Sequence, residues 1–153
     1  MKKLAVIAAL VLVVGSTTGC ATNNNSSKVP DPEVKLEQTS TVPGAAEYVT
    51  GGIPVSFRMQ VTNRASIPIT LKRVEVTSIG EAGGYQVPQS QVPFNVTLTP
   101  GASSSVNFTI AAVSTGMNVT GVNEPVTIRV TSVYDSAEGT LRNIVIRQVS
   151  GIH

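Results

Sequence analysis

The chain is poor in the side chains that carry most enzyme chemistry. It has one cysteine, Cys20, one histidine, His153, and no tryptophan. Beyond Cys20 there is no thiol for a disulfide, a thiolate nucleophile or a cysteine metal site. His153 is the last residue, and chain ends are commonly frayed. No G-x-S-x-G or Ser-x-x-Lys motif occurs. The sequence therefore predicts a protein that is not an enzyme, with no catalytic residue and no cofactor.

Charge is also scarce. Asp, Glu, Lys and Arg make up 13% of the chain, which is about half the usual share. Without Lys2 and Lys3 the chain has nine basic and nine acidic residues, and no basic run is longer than two residues. A nucleic-acid surface needs clustered cations, so none is predicted. Asp135 and Glu138 supply too few oxygens for calcium, which takes about six to eight. We expect no metal site and no small-molecule substrate.

The N-terminus has the layout of a signal peptide. Lys2 and Lys3 are followed by an apolar run of eleven residues from Leu4 to Val14. As a helix this run spans about 16 Å, too short for a bilayer core of about 30 Å. A basic start, a short apolar stretch and small residues before a cleavage site are typical of a secretory leader. Residues 1–19 are therefore predicted to be removed.

The residues at the end of the leader, Thr17-Thr18-Gly19-Cys20, resemble the lipobox of bacterial lipoproteins. The resemblance implies diacylglycerol on Cys20, cleavage before it and often acylation (palmitate) of its new amino group. Residues 20–33 would then be the lipidated Cys20 and a polar, flexible linker to the domain. The residue after Cys20 is Ala21. In enteric lipoproteins an Asp at this position resembles an inner-membrane retention signal, and this chain lacks it. The expected location is the bacterial cell envelope, with the outer membrane favoured in a Gram-negative host.

An alternative stays open at this point. The leader could be an ordinary secretory one, cut after Ala21 at the small residues Gly19-Cys20-Ala21. Cys20 would then be discarded with the leader, and the domain would carry no lipid.

Residues 34–153 show the period-two pattern of β-strands. Apolar and polar residues alternate from Pro54 to Thr62, which predicts a half-buried strand. In the run from Ile69 to Ile79 the phase slips at Lys72-Arg73, which predicts a β-bulge. Pro100-Gly101 predicts a turn, and residues 135–139 a hairpin loop. Further strands are predicted near Val34 and Leu36 and at residues 94–99, 106–110, 126–133 and 140–149.

About seven short strands separated by turn residues predict a single all-β domain, an immunoglobulin-like β-sandwich. The segment from Phe57 to Ile110 is similar to bacterial Ig-like modules and to the late-embryogenesis-abundant type domain. The similarity is carried by Val61-Thr62-Asn63, by the strand that starts at Ile67 and by the turn Leu98-x-Pro100-Gly101. It implies a fold and brings no active site with it.

Two long segments are the candidate binding loops. Residues 80–93 are rich in Gly, Pro and Gln, and residues 113–124 form the second; long loops in compact domains are often functional. The candidate contacts are Tyr85, Gln86, Gln89, Met117 and Asn118. Two functions are compatible with them: a module that binds another envelope protein, by these loops or by strand addition at an open sheet edge, and a glycan-binding module that uses Tyr85 as a stacking face. A connector or an extra edge hairpin is the plainer interpretation of both segments.

Overall fold

The computed structural model of the chain describes residues 29–40, 52–80, 83–114 and 125–149. They form eight β-strands in two four-stranded sheets, and every strand pairing is antiparallel. The strands are β1 (Glu33–Gln38), β2 (Ile53–Thr62), β3 (Ile69–Ser78), β4 (Tyr85–Gln86), β5 (Ser90–Leu98), β6 (Ser103–Ser114), β7 (Val126–Ser136) and β8 (Gly139–Val149).

The two sheets form a sandwich-like domain around one core. The order is β1-β2-β6-β4 in the first sheet and β5-β3-β7-β8 in the second. Buried apolar side chains come from both sheets, as the alternation along each strand predicts. In β2 every second residue from Val55 to Val61 is at most 1% exposed, which confirms the predicted strand. Phe57 and Phe108 stack in the first sheet at 5.6 Å between ring centroids, and the half-buried Phe94 of β5 meets Phe108 edge-on.

The predicted bulge in β3 is present. The register of β3 against both of its neighbours shifts between Leu71 and Arg73. Leu71 is buried and Val74 is buried, so the extra residue lets both phases of the strand contribute to the core. On the β5 side the shift brings Arg73 opposite Pro93.

Short turns close one end of the sandwich. Thr99 to Ala102 is a β-turn in which the Ala102 amide donates to the Thr99 carbonyl at 3.0 Å. Gly101 has a φ of 74°, the left-handed value that the third position of a type II turn requires after Pro100. Asn63, which is fully buried, joins the next loop to this turn: its amide nitrogen donates to the carbonyls of Ile67 and Leu98, and its side-chain oxygen accepts from the Ala65 amide.

The structure has one strand more than the sequence predicts. The additional strand is β4, which has only two residues and pairs with Val113 and Ser114 at the end of β6. Two residues show no periodicity, so this strand has no local signal. At the N-terminus Val29 is already in the core at 6% exposure, and β1 begins at Glu33. Val29 lies five residues before residue 34, where the predicted domain begins.

Candidate functional site

Tyr85 does not lie on the surface, contrary to the expectation of an exposed stacking face. It is 3% exposed, and its hydroxyl donates to Oε1 of Gln38 at 2.6 Å across the core. Burial raises the pKa of Tyr85 to about 12. The side chain is buried because β4 pairs with the end of β6, a contact between distant parts of the chain. The ring is therefore not available to a sugar.

The other predicted contacts fall into two groups. Gln86 is half-buried in β4, and Gln89 is exposed just before β5. Gln89 lines a shallow depression of about 170 Å³ on the outer face of the second sheet, together with Glu75, Thr77 and Arg129. Met117, Asn118 and Cys20 lie outside the described residues. Among the predicted contacts that the structure describes, Tyr85, Gln86 and Gln89 do not form a single site.

The edges of the sheets differ in how far they are blocked. In the first sheet β1 is short and carries three charged residues on its outer phase, Glu33, Lys35 and Glu37. In the second sheet β5 contains Pro93, which has no amide hydrogen to offer a further strand, and it lies opposite the bulge. Both features are known ways to prevent a sheet from pairing at its edge.

β8 has neither feature. It pairs with β7 in continuous register over eleven residues, from Gly139 to Val149, and it contains no proline. Its other side forms an edge of the second sheet. Ile144 and Ile146 lie on its outer phase and are 52% and 55% exposed. Leu141 and Val149 are buried on the inner phase and hold both ends of the strand against the core.

The surroundings of these isoleucines are basic. Arg142 is on the outer phase of β8 with them, and Arg129 of β7 is paired with Ile146. Arg147 follows Ile146 and belongs to the opposite phase of the strand. All three arginines are exposed. Within the described ranges none of them has a carboxylate within 4.0 Å, because the four ion pairs found there involve other cations. We call β8 with Arg129 the β8 edge.

The carboxylates elsewhere on the domain are largely engaged. Glu33 accepts from Arg64 and lies 3.6 Å from Lys35, and these two cations lower its pKa below the usual value, with Arg64 the main cause. Glu37 pairs with Arg58 and Glu75 with Arg73. Asp135 accepts from Thr140 near the turn between β7 and β8, away from Ile146.

Two buried polar groups beside β8 lack partners. The Tyr134 hydroxyl is in the core without a hydrogen-bond partner, and burial raises the pKa of Tyr134 to about 12. The Oδ1 atom of Asn143 is likewise buried without a partner. Tyr134 is paired with Leu141, so both groups lie where β8 meets the rest of the domain.

The sequence interpretation did not single out Ile144 and Ile146. The available signal was the run Ile144-Val145-Ile146, in which three apolar residues follow one another in a strand whose other outward residues are polar. One phase of such a run must face outward in a sheet. Which phase does so depends on the pairing with β7, which the local sequence does not reveal.

In the described residues, no group of three or more His, Cys, Asp or Glu side chains could hold a metal ion. Over the same residues no helix is long and apolar enough to cross a membrane.

Comparison with known proteins shows likeness at the level of the fold. No protein-family model and no curated protein sequence matches the chain. A crystal structure of a protein from Archaeoglobus fulgidus aligns with a TM-score of 0.51 and 12% identity, over 76% of this chain and 91% of that one. The X-ray structure of the structural-genomics target SoR45 aligns with a TM-score of 0.52 and 12% identity, over 78% of this chain and 85% of that one. The chain is therefore similar in fold to these two all-β structures, and at this identity the likeness says nothing about activity.

Proposed function

We propose that the chain is a non-enzymatic, lipid-anchored protein of the bacterial cell envelope whose sandwich binds another envelope protein by strand addition at the β8 edge. The observation that carries the proposal is the eleven-residue edge strand with two half-exposed isoleucines. The non-enzymatic part rests on the sequence, with its single histidine and single cysteine.

Strand addition fits the physics of this edge. An edge strand presents unpaired amide and carbonyl groups, and a partner strand satisfies them with main-chain hydrogen bonds. Side chains on the outer phase then add cross-strand contacts. Ile144 and Ile146 are already held in a fixed backbone, so a partner would lose entropy mainly on its own side.

The anchor is the second part of the proposal. Diacylglycerol on Cys20 together with an acyl chain on its amino group would hold the protein on the membrane, since one chain alone binds only marginally. Val29 is packed in the core, so nine Cα–Cα steps join Cys20 to the folded domain. Fully extended they reach about 30 Å. The β8 edge would therefore lie close to the lipid surface. In a Gram-negative host this would be the surface of the outer membrane.

The strand order supports an immunoglobulin-like classification of the sandwich. β1, β2 and β6 lie in one sheet and β3, β7 and β8 in the other, as strands A, B, E and C, F, G do in immunoglobulin-type domains. The burial of Tyr85 leaves glycan binding without support as a second function, because that function required Tyr85 to be an exposed stacking face.

The binding proposal is tested by photo-crosslinking in the host cell. A photoreactive benzoylphenylalanine replaces Ile146 in the full-length chain, and a matched one replaces Asn95, which is exposed on β5 of the same sheet. We expect a discrete protein adduct from position 146 and none from position 95, and we expect Ile144→Lys to remove it. Equal adducts from both positions, or none from position 146, would contradict binding at this edge.

The anchor is tested separately by the intact mass of the protein purified from the membrane fraction. A chain that starts at Cys20 and carries diacylglycerol is the expected result. A lipid-free chain that starts at Thr22 would show that the leader is an ordinary secretory one.

A further inference from the structure

We infer that the partner strand at the β8 edge is an acidic one: an extended segment with β-branched apolar residues opposite Ile144 and Ile146 and with carboxylates opposite Arg142 and Arg147. This inference rests on the proposed function and adds the chemistry of the partner to it.

The positive charge of the β8 edge is not balanced by carboxylates in the described residues. Four cations in the described part of the chain have no carboxylate within 4.0 Å, and three of them, Arg129, Arg142 and Arg147, belong to the β8 edge. Arg147 donates only to the carbonyl of its neighbour Ile146. Cross-strand pairs of opposite charge stabilise a sheet, whereas like charges opposite each other destabilise it. An added strand with carboxylates at the matching positions would neutralise this edge.

The apolar positions of the β8 edge have neighbours on the β7 side. Ile144 is paired with Thr131 and Ile146 with Arg129 of β7. In the described residues, neither isoleucine has a paired strand on its other side. Thr131 is 8% exposed and Val133 2%, although both lie on the outer phase of the sheet. Branched apolar residues on the added strand would extend this low-polarity stripe and cover the other flank of the isoleucines.

A second copy of this chain does not suit the β8 edge as its occupant. Antiparallel pairing of β8 with itself in the register that sets Ile144 opposite Ile146 would gather six arginines around one short seam, three from each copy. No carboxylate of the strand itself would balance them, since Gly139 to Val149 contains none. A free edge that is basic over its length is suited to an acidic strand.

Of the six acidic side chains in the described residues, all but Asp31 are paired with a cation or lie at one end of the β8 edge. Glu33 is paired with Arg64, Glu37 with Arg58 and Glu75 with Arg73. Asp135 and Glu138 lie at the turn between β7 and β8, at the far end of the edge from Arg147.

The pattern specifies a probe. For antiparallel addition, the residues opposite Gln148 back to Arg142 read Thr-Glu-Val-Thr-Val-Thr-Glu. The test uses this acetylated and amidated peptide and its matched control Thr-Lys-Val-Thr-Val-Thr-Lys, titrated into the folded protein while backbone amide resonances are followed by NMR.

We expect the acidic peptide to shift amides of β8 and to bind about tenfold more tightly than the lysine peptide at low salt, with the difference reduced at high salt. The variant Arg142→Gln with Arg147→Gln should remove most of that difference while the folded spectrum is retained, because both side chains are exposed.

Each of the other outcomes would overturn one part of the proposal. Equal binding of both peptides to β8 would overturn the acidic partner and leave strand addition standing. Shifts confined to β1 or β5, or no shift with either peptide, would overturn both the acidic partner and the use of this edge. Shifts of β8 that grow with protein concentration in the absence of peptide would identify a second copy as the occupant.

Discussion

The two edges of the second sheet, β5 and β8, differ in the features that govern pairing with a further strand. β5 carries Pro93 next to a bulge in its neighbour, and its outer phase is polar. β8 runs in continuous register along β7, and its outer phase presents Ile144 and Ile146. Both strands belong to one sheet and share one core, yet only β5 carries features that hinder pairing with a further strand, Pro93 and the neighbouring bulge. Under the proposed function, β8 is the edge that would pair.

We expect the largest effect on stability at alkaline pH, where two buried tyrosines, Tyr134 and Tyr85, would ionise. Tyr134 is paired with Leu141 of β8, and Tyr85 lies in β4, which leads into β5. Burial raises the pKa of both to about 12. A phenol whose pKa is higher in the folded than in the unfolded state stabilises the fold fully below pH ~10, and this contribution is lost as the pH rises towards 12. The free energy of unfolding should fall by on the order of 2 kcal/mol per tyrosine over that range.

Urea denaturation between pH 7 and pH 12 checks this with two matched variants. Tyr134→Phe should flatten the alkaline loss without a cost at pH 7, because its hydroxyl has no partner. Tyr85→Phe should also flatten it, but with a loss of about 1 kcal/mol at pH 7, since Gln38 Oε1 loses its donor. An alkaline loss that is the same in the wild type and in both variants would contradict the prediction.

A smaller effect should distinguish the inner side of β8 from the outer side of β5. Asn143→Val removes a buried oxygen that has no hydrogen-bond partner, so we expect a gain of about 1 kcal/mol in the free energy of unfolding. The control is Asn95→Val on β5, where the amide is exposed and accepts from Lys72. It should change stability by less than about 0.5 kcal/mol. Equal changes at the two sites in chemical denaturation would show that the unpaired oxygen has no cost.

We expect the smallest effect on stability from Pro93→Val. This variant is the most direct test of the difference between the β5 and β8 edges. Pro93 is exposed, so the unfolding free energy should change by less than about 0.5 kcal/mol. The variant restores an amide hydrogen on β5 and should increase self-association at high concentration, measured by sedimentation velocity. Gln91→Val adds the same apolar side chain to the same exposed phase and keeps the proline. Self-association caused equally by both variants would assign the effect to apolarity and not to the missing amide.

Much of the fold was predictable because most strands show one apolar and one polar phase. The alternation along β2 and the phase slip in β3 are local patterns, and the structure confirms both. The turn at Pro100-Gly101 was predictable for the same reason, since a type II turn has its own residue preferences.

What escaped prediction depends on contacts between distant parts of the chain. β4 exists because two residues meet the end of β6, and that meeting also buries Tyr85, which its Gly- and Pro-rich surroundings suggested would be exposed. Similarly, β5 begins at Ser90 and includes four residues of the segment 80–93 that was interpreted as a loop, because residues 90–93 pair with residues 76–73 of β3. The exposure of Ile144 and Ile146 follows from the pairing with β7, so the β8 edge could be recognised only in the folded domain.

The burial of Val29 and the pairing of β1 also determine how the domain would respond to mechanical force. The chain from a lipid anchor would enter at Val29 and continue into β1, whose six residues pair with β2 in one unbroken register. The hydrogen bonds of an antiparallel pair are perpendicular to the strands. With the proposed anchor, a pull directed along β1 would load all six residue pairs in shear at once instead of peeling them apart one after another.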